Sequence, residues 1–215
     1  MEAQNLHEGA QFRPNSVPMN ILLWNCRGAL NPRFHVTLHN LIDTHSPVIV
    51  IITETRIGGE RAKDITDRLP FDGALHADIV GYSGGIWVLW KFEAVEITQL
   101  AKTEQEIHVV VKVRALNYSW LLSSIYASPR LEERKLLWKN LATIAPMHEL
   151  PWLMLGDFNE LLSSGDKLGG NPLILEGSKC LRSAWTLVEW WIWASMGLIS
   201  LGSIRGRWVI SFKRG

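Results

Sequence analysis

The run Val48-Ile49-Val50-Ile51-Ile52 constrains this chain most. Every side chain in it is β-branched and apolar, which suits a pleated strand with both faces covered and disfavours a half-exposed strand or a surface helix. The chain must therefore build a sheet packed on both sides. The strand, read over Val48 to Glu54, breaks abruptly into Thr53, Glu54, Thr55 and Arg56, so it delivers a carboxylate at its carboxyl end.

The same grammar recurs along the chain. Met19 to Asn25 reads as a short apolar strand, and Pro32 then suits the first turn of a helix with Phe34, Leu38, Leu41 and Ile42 on one face. After the Val48 strand comes a weaker helix with Ala62, Ile65 and Leu69, closed by Pro70. Strands follow near Ala74 to Val80 and Gly85 to Trp90, with Gly84-Gly85 expected as the bend between them. Ala94 to Leu100, Ile107 to Val113 and Ser119 to Tyr126 read as strands of a meander, the alternation being clearest at Ile107, Val109, Val111 and Val113. Ser128-Pro129 opens a helix through Ala145 with Leu137, Leu141 and Ile144 on one face, and Trp152 to Leu155 is another buried strand, ending in Gly156, Asp157, Phe158 and Asn159. Strand and helix alternation at the start, antiparallel strands in the middle and alternation again imply two facing sheets of mixed strands with helices outside.

At 215 residues and 47% hydrophobic composition the chain holds one sizeable core. Residues 1–18, with Pro14 and Pro18, read as a flexible leader, and 19–215 as one domain. A net charge of +1 carries no basic tract, so any polyanion would have to meet a local patch. Cys26 and Cys180 have no metal-ligand spacing and cannot build a disulfide framework, which favours a reducing compartment. No apolar stretch approaches the roughly 20 residues that span a bilayer, so no membrane association is expected.

Four strand ends carry the candidate chemistry: Asn25, Glu54, Tyr126, and Asp157 with Asn159. If the sheets bring these ends together, carboxylate and amide oxygens supply the few hard ligands that Mg²⁺ prefers, leaving room for water and phosphate. Each also has a plainer reading, as a turn former after a strand or an edge-strand aromatic. Arg27 and Arg56 stand beside Asn25 and Glu54, placed either to meet phosphate or to pair with Glu54. Cys26 reads as a small buried residue, with no activating base nearby. His35 and His39 have helical i, i+4 spacing but no third ligand, which favours a solvated helix face.

Trp24-Asn25-Cys26-Arg27-Gly28, Ile52-Thr53-Glu54-Thr55-Arg56, Gly84-Gly85-Ile86-Trp87, Ser124-Ile125-Tyr126-Ala127 and Gly156-Asp157-Phe158-Asn159-Glu160 occur in one order from about Met19 to Asn171. In that order they resemble the successive motifs of the endonuclease/exonuclease/phosphatase family, and the first, third and fifth are most similar to the endonuclease domains of plant LINE-type retrotransposons. The resemblance implies a DNase I-like four-layer α/β sandwich and Mg²⁺-dependent cutting of DNA, with Mn²⁺ as an alternative ion. It implies Glu54 and Asn25 at the metal, Asp157 on the attacking water, Tyr126 and Asn159 on the scissile phosphate, and Arg27 and Arg56 as further phosphate contacts. A nuclear or cytoplasmic place of action follows from the implied substrate.

The chain departs from this pattern late. No Asp is followed directly by His, whereas the family ends on a Ser-Asp-His-type segment. Gly197-Leu198-Ile199 and Leu201-Gly202 still resemble a family strand, but Trp208-Val209-Ile210 lacks the hydroxyl of the family's aromatic-Thr-Trp run. Four tryptophans crowd Trp185 to Trp193 with no clean helical period. These features read as a fold that is incomplete or degenerate at its C-terminus, with activity impaired. Two alternatives stand beside the endonuclease: an inactive retroelement remnant that at most binds nucleic acid, and a phosphatase or phosphodiesterase of the same fold.

Overall fold

The computed structural model describes residues 19–80, 83–116, 118–159, 199–203 and 207–212. The leader and the tryptophan-rich segment read above lie outside these residues. In chain order the elements are β1 (Met19–Asn25), α1 (Phe34–His45), β2 (Ile49–Thr53), α2 (Gly59–Thr66), β3 (Gly73–Val80), β4 (Ser83–Trp90), β5 (Val95–Lys102), β6 (Glu106–Val113), β7 (Tyr118–Tyr126), α3 (Leu131–Ile144), β8 (Trp152–Asp157), β9 (Ile199–Ser203) and β10 (Arg207–Phe212).

They form two mixed sheets. One has the order β3-β4-β2-β1-β10-β9 and the other β5-β6-β7-β8. Between them lies a core of Ile21 and Leu23 from β1, Ile49 and Ile51 from β2, and Ile86 and Val88 from β4, packed with Val109, Val111 and Leu122 of the second sheet. The next residues along the same strands, Leu22 and Trp24, Val50 and Ile52, Trp87 and Leu89, point the other way and meet Phe34, Leu38 and Ala62 of α1 and α2. β2 thus contributes to both layers, the reason its sequence is apolar from Ile49 to Ile52 and turns polar only at its last residue, Thr53. Phe34 anchors the outer layer, stacked on Trp24 at 5.2 Å and edge-on to Trp87 at 6.0 Å. Burying one such side chain contributes about 1.5–3 kcal/mol.

On the far side of the second sheet, Leu121, Ile125 and Trp152 pack against Leu137, Trp138 and Leu141 of α3. The layers run helix, sheet, sheet, helix, as the order of elements implies. β6 alternates as its sequence predicts, but its outward positions Glu106 and His108 are also buried, at 2% and 1% exposure. His108 Nδ1 lies 2.6 Å from Ser123 Oγ, its Nε2 lies 3.0 Å from Glu106, and Asn140 of α3 donates to Glu106 at 2.7 Å. Trp152 Nε1 also donates to Ser123, at 2.7 Å. Ser123 and Asn140 thus satisfy one nitrogen of His108 and one oxygen of Glu106, while His108 Nε2 and Glu106 Oε2 face each other without forming a hydrogen bond.

Two expectations are corrected. Gly84-Gly85 is not the bend between β3 and β4: the hairpin register pairs Val80 with Ser83, so both glycines lie inside β4. Leu69 is buried as expected, but from the turn that follows α2, which stops at Thr66. At the other end of the chain β10 runs antiparallel to β1, with Val209 opposite Leu22, and β9 pairs beyond it.

Candidate active site

The candidate residues come together because of how the parallel strands are paired. β1 and β2 run parallel with Asn25 opposite Thr53, so both end at one level and Glu54 follows directly. β7 and β8 run parallel with Tyr126 opposite Asp157. Each sheet therefore contributes one parallel pair, and the carboxyl ends of both pairs meet at one edge of the sandwich. Ligands of open α/β sheets collect at such strand ends.

Asn25 joins the two sheets. Its Nδ2 donates to Glu54 Oε1 at 2.9 Å and to Asp157 Oδ2 at 3.0 Å. Its Oδ1 accepts from the Arg27 backbone N–H at 3.2 Å. Asp157 Oδ1 accepts from the Asn159 N–H at 3.0 Å, and Asn159 Nδ2 donates to the Ala127 carbonyl at 2.7 Å, which ties the β8 end to the β7 end. Tyr126 sits among them. Its hydroxyl is pushed above the ordinary phenol value by burial first and then by the charges of Glu54 and Asp157, so it is a hydrogen-bond donor throughout the neutral range.

The loops after β1, β2 and β8 are held in unusual backbone conformations. Arg27, Glu54, Arg56 and Asn159 have φ of 53, 54, 56 and 44°. Left-handed backbone costs a non-glycine residue roughly 1–2 kcal/mol, and here hydrogen bonds between the loops offset it. The N–H groups of Gly28 and Ala29 donate to the carbonyls of Glu54 and Thr55 at 2.7 and 2.8 Å. Thr55 and Arg56 donate in turn to the carbonyls of Gly85 and Gly84, at 3.3 and 3.0 Å. This is the use of the paired glycines, with φ of +85 and +86°. A Cβ on Gly85 would lie 2.3 Å from Thr55 Oγ1, and one on Gly84 would touch the Tyr126 ring at 3.5 Å. The sequence signal for this role was the consecutive glycines, misplaced as a turn.

Gln105 is a residue that motif reading missed. Its carbonyl accepts from the Tyr126 N–H at 2.9 Å, its Oε1 from the Ser128 N–H at 2.7 Å, and its Nε2 donates to the Glu133 carbonyl at 2.9 Å. It braces the β7 end against α3.

The two arginines have different positions. Arg56 pairs with Glu54, Nη2 to Oε2 at 3.1 Å. Arg27 meets Asn25 through its backbone, and it lines, with Arg56, Leu30, Asn31 and Pro32, an open groove of about 400 Å³ beside the site. Cys26 is buried under the Glu54 carbonyl, its thiol pushed up to about 12 by burial, so it holds its proton and is no nucleophile. His35 and His39 are both exposed on α1.

Among the described residues no three His, Cys, Asp or Glu side chains cluster as a metal cage. The set on hand is two carboxylates joined by one amide, with a single guanidinium as counter-charge. All-oxygen ligands, few of them from protein, fit a hard divalent cation that keeps most of its water. They do not fit zinc or copper, which favour nitrogen and sulfur.

A helix, sheet, sheet, helix sandwich with polar groups gathered at the ends of two parallel strand pairs defines the class. The chain matches the model of the endonuclease/exonuclease/phosphatase family over residues 22–201 and belongs to that family. No curated protein matches it. Among solved structures it is similar to the AP endonuclease LMAP from Leishmania major, at 14% identity over 92% of this chain and 80% of that one, with a TM-score of 0.60. It is also similar to the endonuclease domain of TRAS1, a telomere-specific non-LTR retrotransposon, at 14% identity over 91% and 85% of the two chains, TM-score 0.57. The human Nocturnin catalytic domain with bound sulfate anion gives 14% identity over 91% and 82%, TM-score 0.54. At such identities these likenesses establish the fold.

Proposed function

We propose that this chain is a Mg²⁺-dependent phosphodiesterase that cuts DNA, of the non-LTR retrotransposon type. The observation that carries the reading is the Asn25 amide spanning Glu54 and Asp157, which puts two carboxylates from two different sheets within one side chain's reach. Family membership and the likeness to an AP endonuclease and to a retrotransposon endonuclease domain support hydrolysis of phosphate esters in nucleic acid.

In this reading Glu54 and Asn25 would hold the cation. When bound, the cation supplies Lewis-acid stabilisation of charge growing on the phosphate. Asp157 orients and deprotonates the attacking water. The Asn159 N–H bonded to its Oδ1 leaves Oδ2 to face the site, where Asn25 now points. Tyr126, kept protonated, would donate to a phosphate oxygen, and so would the Asn159 amide N–H not given to the Ala127 carbonyl. Both donors stand at adjoining strand ends, which limits the backbone movement that binding them to a phosphate would need.

A second reading, a catalytically silent domain that retains nucleic-acid binding, draws on the lack of any Asp-His dipeptide in the chain. Nicking of supercoiled plasmid with Mg²⁺ or with EDTA decides between them. The endonuclease reading predicts Mg²⁺-dependent nicking, reduced at least about a thousandfold in Glu54→Gln, because cooperating catalytic groups are strongly non-additive. Folded protein that binds plasmid without nicking it selects the silent domain.

A further inference from the structure

We propose that Arg56 competes with the cation for Glu54, and that a substrate phosphate in the adjoining groove draws it away. The proposal rests on the reading of Glu54 as a cation ligand. Both oxygens of that carboxylate are engaged: Oε1 by the Asn25 amide at 2.9 Å, Oε2 by the Arg56 guanidinium at 3.1 Å. A guanidinium is charged at every working pH. A dication approaching Oε2 therefore displaces an ion pair and meets a like charge.

The two partners differ in freedom. The Glu54 side chain is 17% exposed and held by Asn25, whereas that of Arg56 is 51% exposed. The Arg56 backbone is pinned, with φ of 56° and its N–H on the Gly84 carbonyl at 3.0 Å, so the movable part is the side chain alone. It borders the groove that also carries Arg27 and Asn31. A phosphate there would offer Arg56 a bidentate partner next to a second guanidinium, a stronger arrangement than its single contact to Glu54. Cation and phosphate then reinforce one another, because each removes what opposes the other, and the reinforcement is reciprocal.

The test uses the whole chain and Mn²⁺ alone, with free aquo-Mn²⁺ counted by electron paramagnetic resonance at low ionic strength. Arg56→Asn suits the left-handed backbone, and Arg56→Lys keeps the charge as a second variant. The expected result is binding that depends on Glu54, lost in Glu54→Gln, tightened about threefold to fivefold in Arg56→Asn as for removal of an exposed ion pair, and near wild type in Arg56→Lys. Unchanged or weaker Mn²⁺ binding in Arg56→Asn, with Glu54 dependence intact, overturns the competition and leaves the cation reading standing. Absence of Glu54-dependent binding in the wild-type chain overturns both. Fluorescence anisotropy of a labelled single-stranded oligonucleotide, with and without Ca²⁺, tests the release: Ca²⁺ should tighten binding more in the wild type than in Arg56→Asn. Equal tightening overturns the release by phosphate.

Discussion

At the residue scale, Gly84 and Gly85 show how a conformation serves a site. Both have positive φ, yet only Gly85 faces a hard obstacle, Thr55 Oγ1 at 2.3 Å from its notional Cβ. Gly85→Ala should destabilise the fold by about 2–3 kcal/mol, combining backbone strain with displacement of the Thr55–Arg56 loop. Gly84→Ala, whose Cβ would meet the Tyr126 ring at ordinary contact distance, should cost only about 1 kcal/mol. Urea midpoints of the two variants check this order. An equal cost for both would mean that backbone strain alone matters at these positions. The pair was visible in the sequence as an interruption. Its purpose was not, because the obstacle comes from a loop about thirty residues earlier in the chain.

At the element scale, β6 illustrates what alternation conveys and what it omits. The inward face of Ile107, Val109, Val111 and Val113 is legible from period two, and the structure buries all of them. The other face is mixed in sequence, with Glu106, His108, Val110 and Lys112, and period two does not say that Glu106 and His108 are buried there, bonded to Asn140 of α3 and to Ser123 respectively. Glu106→Leu would strand His108 and Asn140 in the interior and should cost about 3–5 kcal/mol in urea unfolding, the cost of breaking a buried pair. Glu106→Leu combined with His108→Leu should recover part of that loss, since two apolar groups leave fewer polar atoms unpaired. A double variant no better than the single one would show that Asn140 and Ser123 dominate the penalty.

At the scale of the whole molecule, two histidines give the fold an acid-sensitive component. His76 is held below its ordinary value by burial and then by Lys102, and His148 by burial. Their folded values lie below the free value of 6.5, so the unfolded chain binds protons first as pH falls. The stability they contribute is complete above pH 6.5 and is lost as pH drops from there toward the depressed folded values. The urea midpoint should fall between about pH 7 and pH 5, and the doubly substituted His76→Gln, His148→Gln chain should show a flatter profile over that window. An unaltered slope would assign the acid response to other groups.

The sequence by itself determined the elements and their layers. Hydrophobic period, β-branched runs and turn residues are local properties, and they specify which segments become strands, which helix faces are buried, and that β2 must be covered on both sides. It also indicated which polar residues follow buried strands, and so which side chains stand at strand ends. Tertiary structure alone decided which of those ends meet. Asn25 and Asp157 are 132 residues apart, and their contact depends on two parallel pairings in separate sheets packed face to face. Arg56 was equally able, from sequence, to meet phosphate or Glu54, and the fold places it on Glu54. Pairing, packing and electrostatic partnership are relations between distant segments, and no window of sequence contains them.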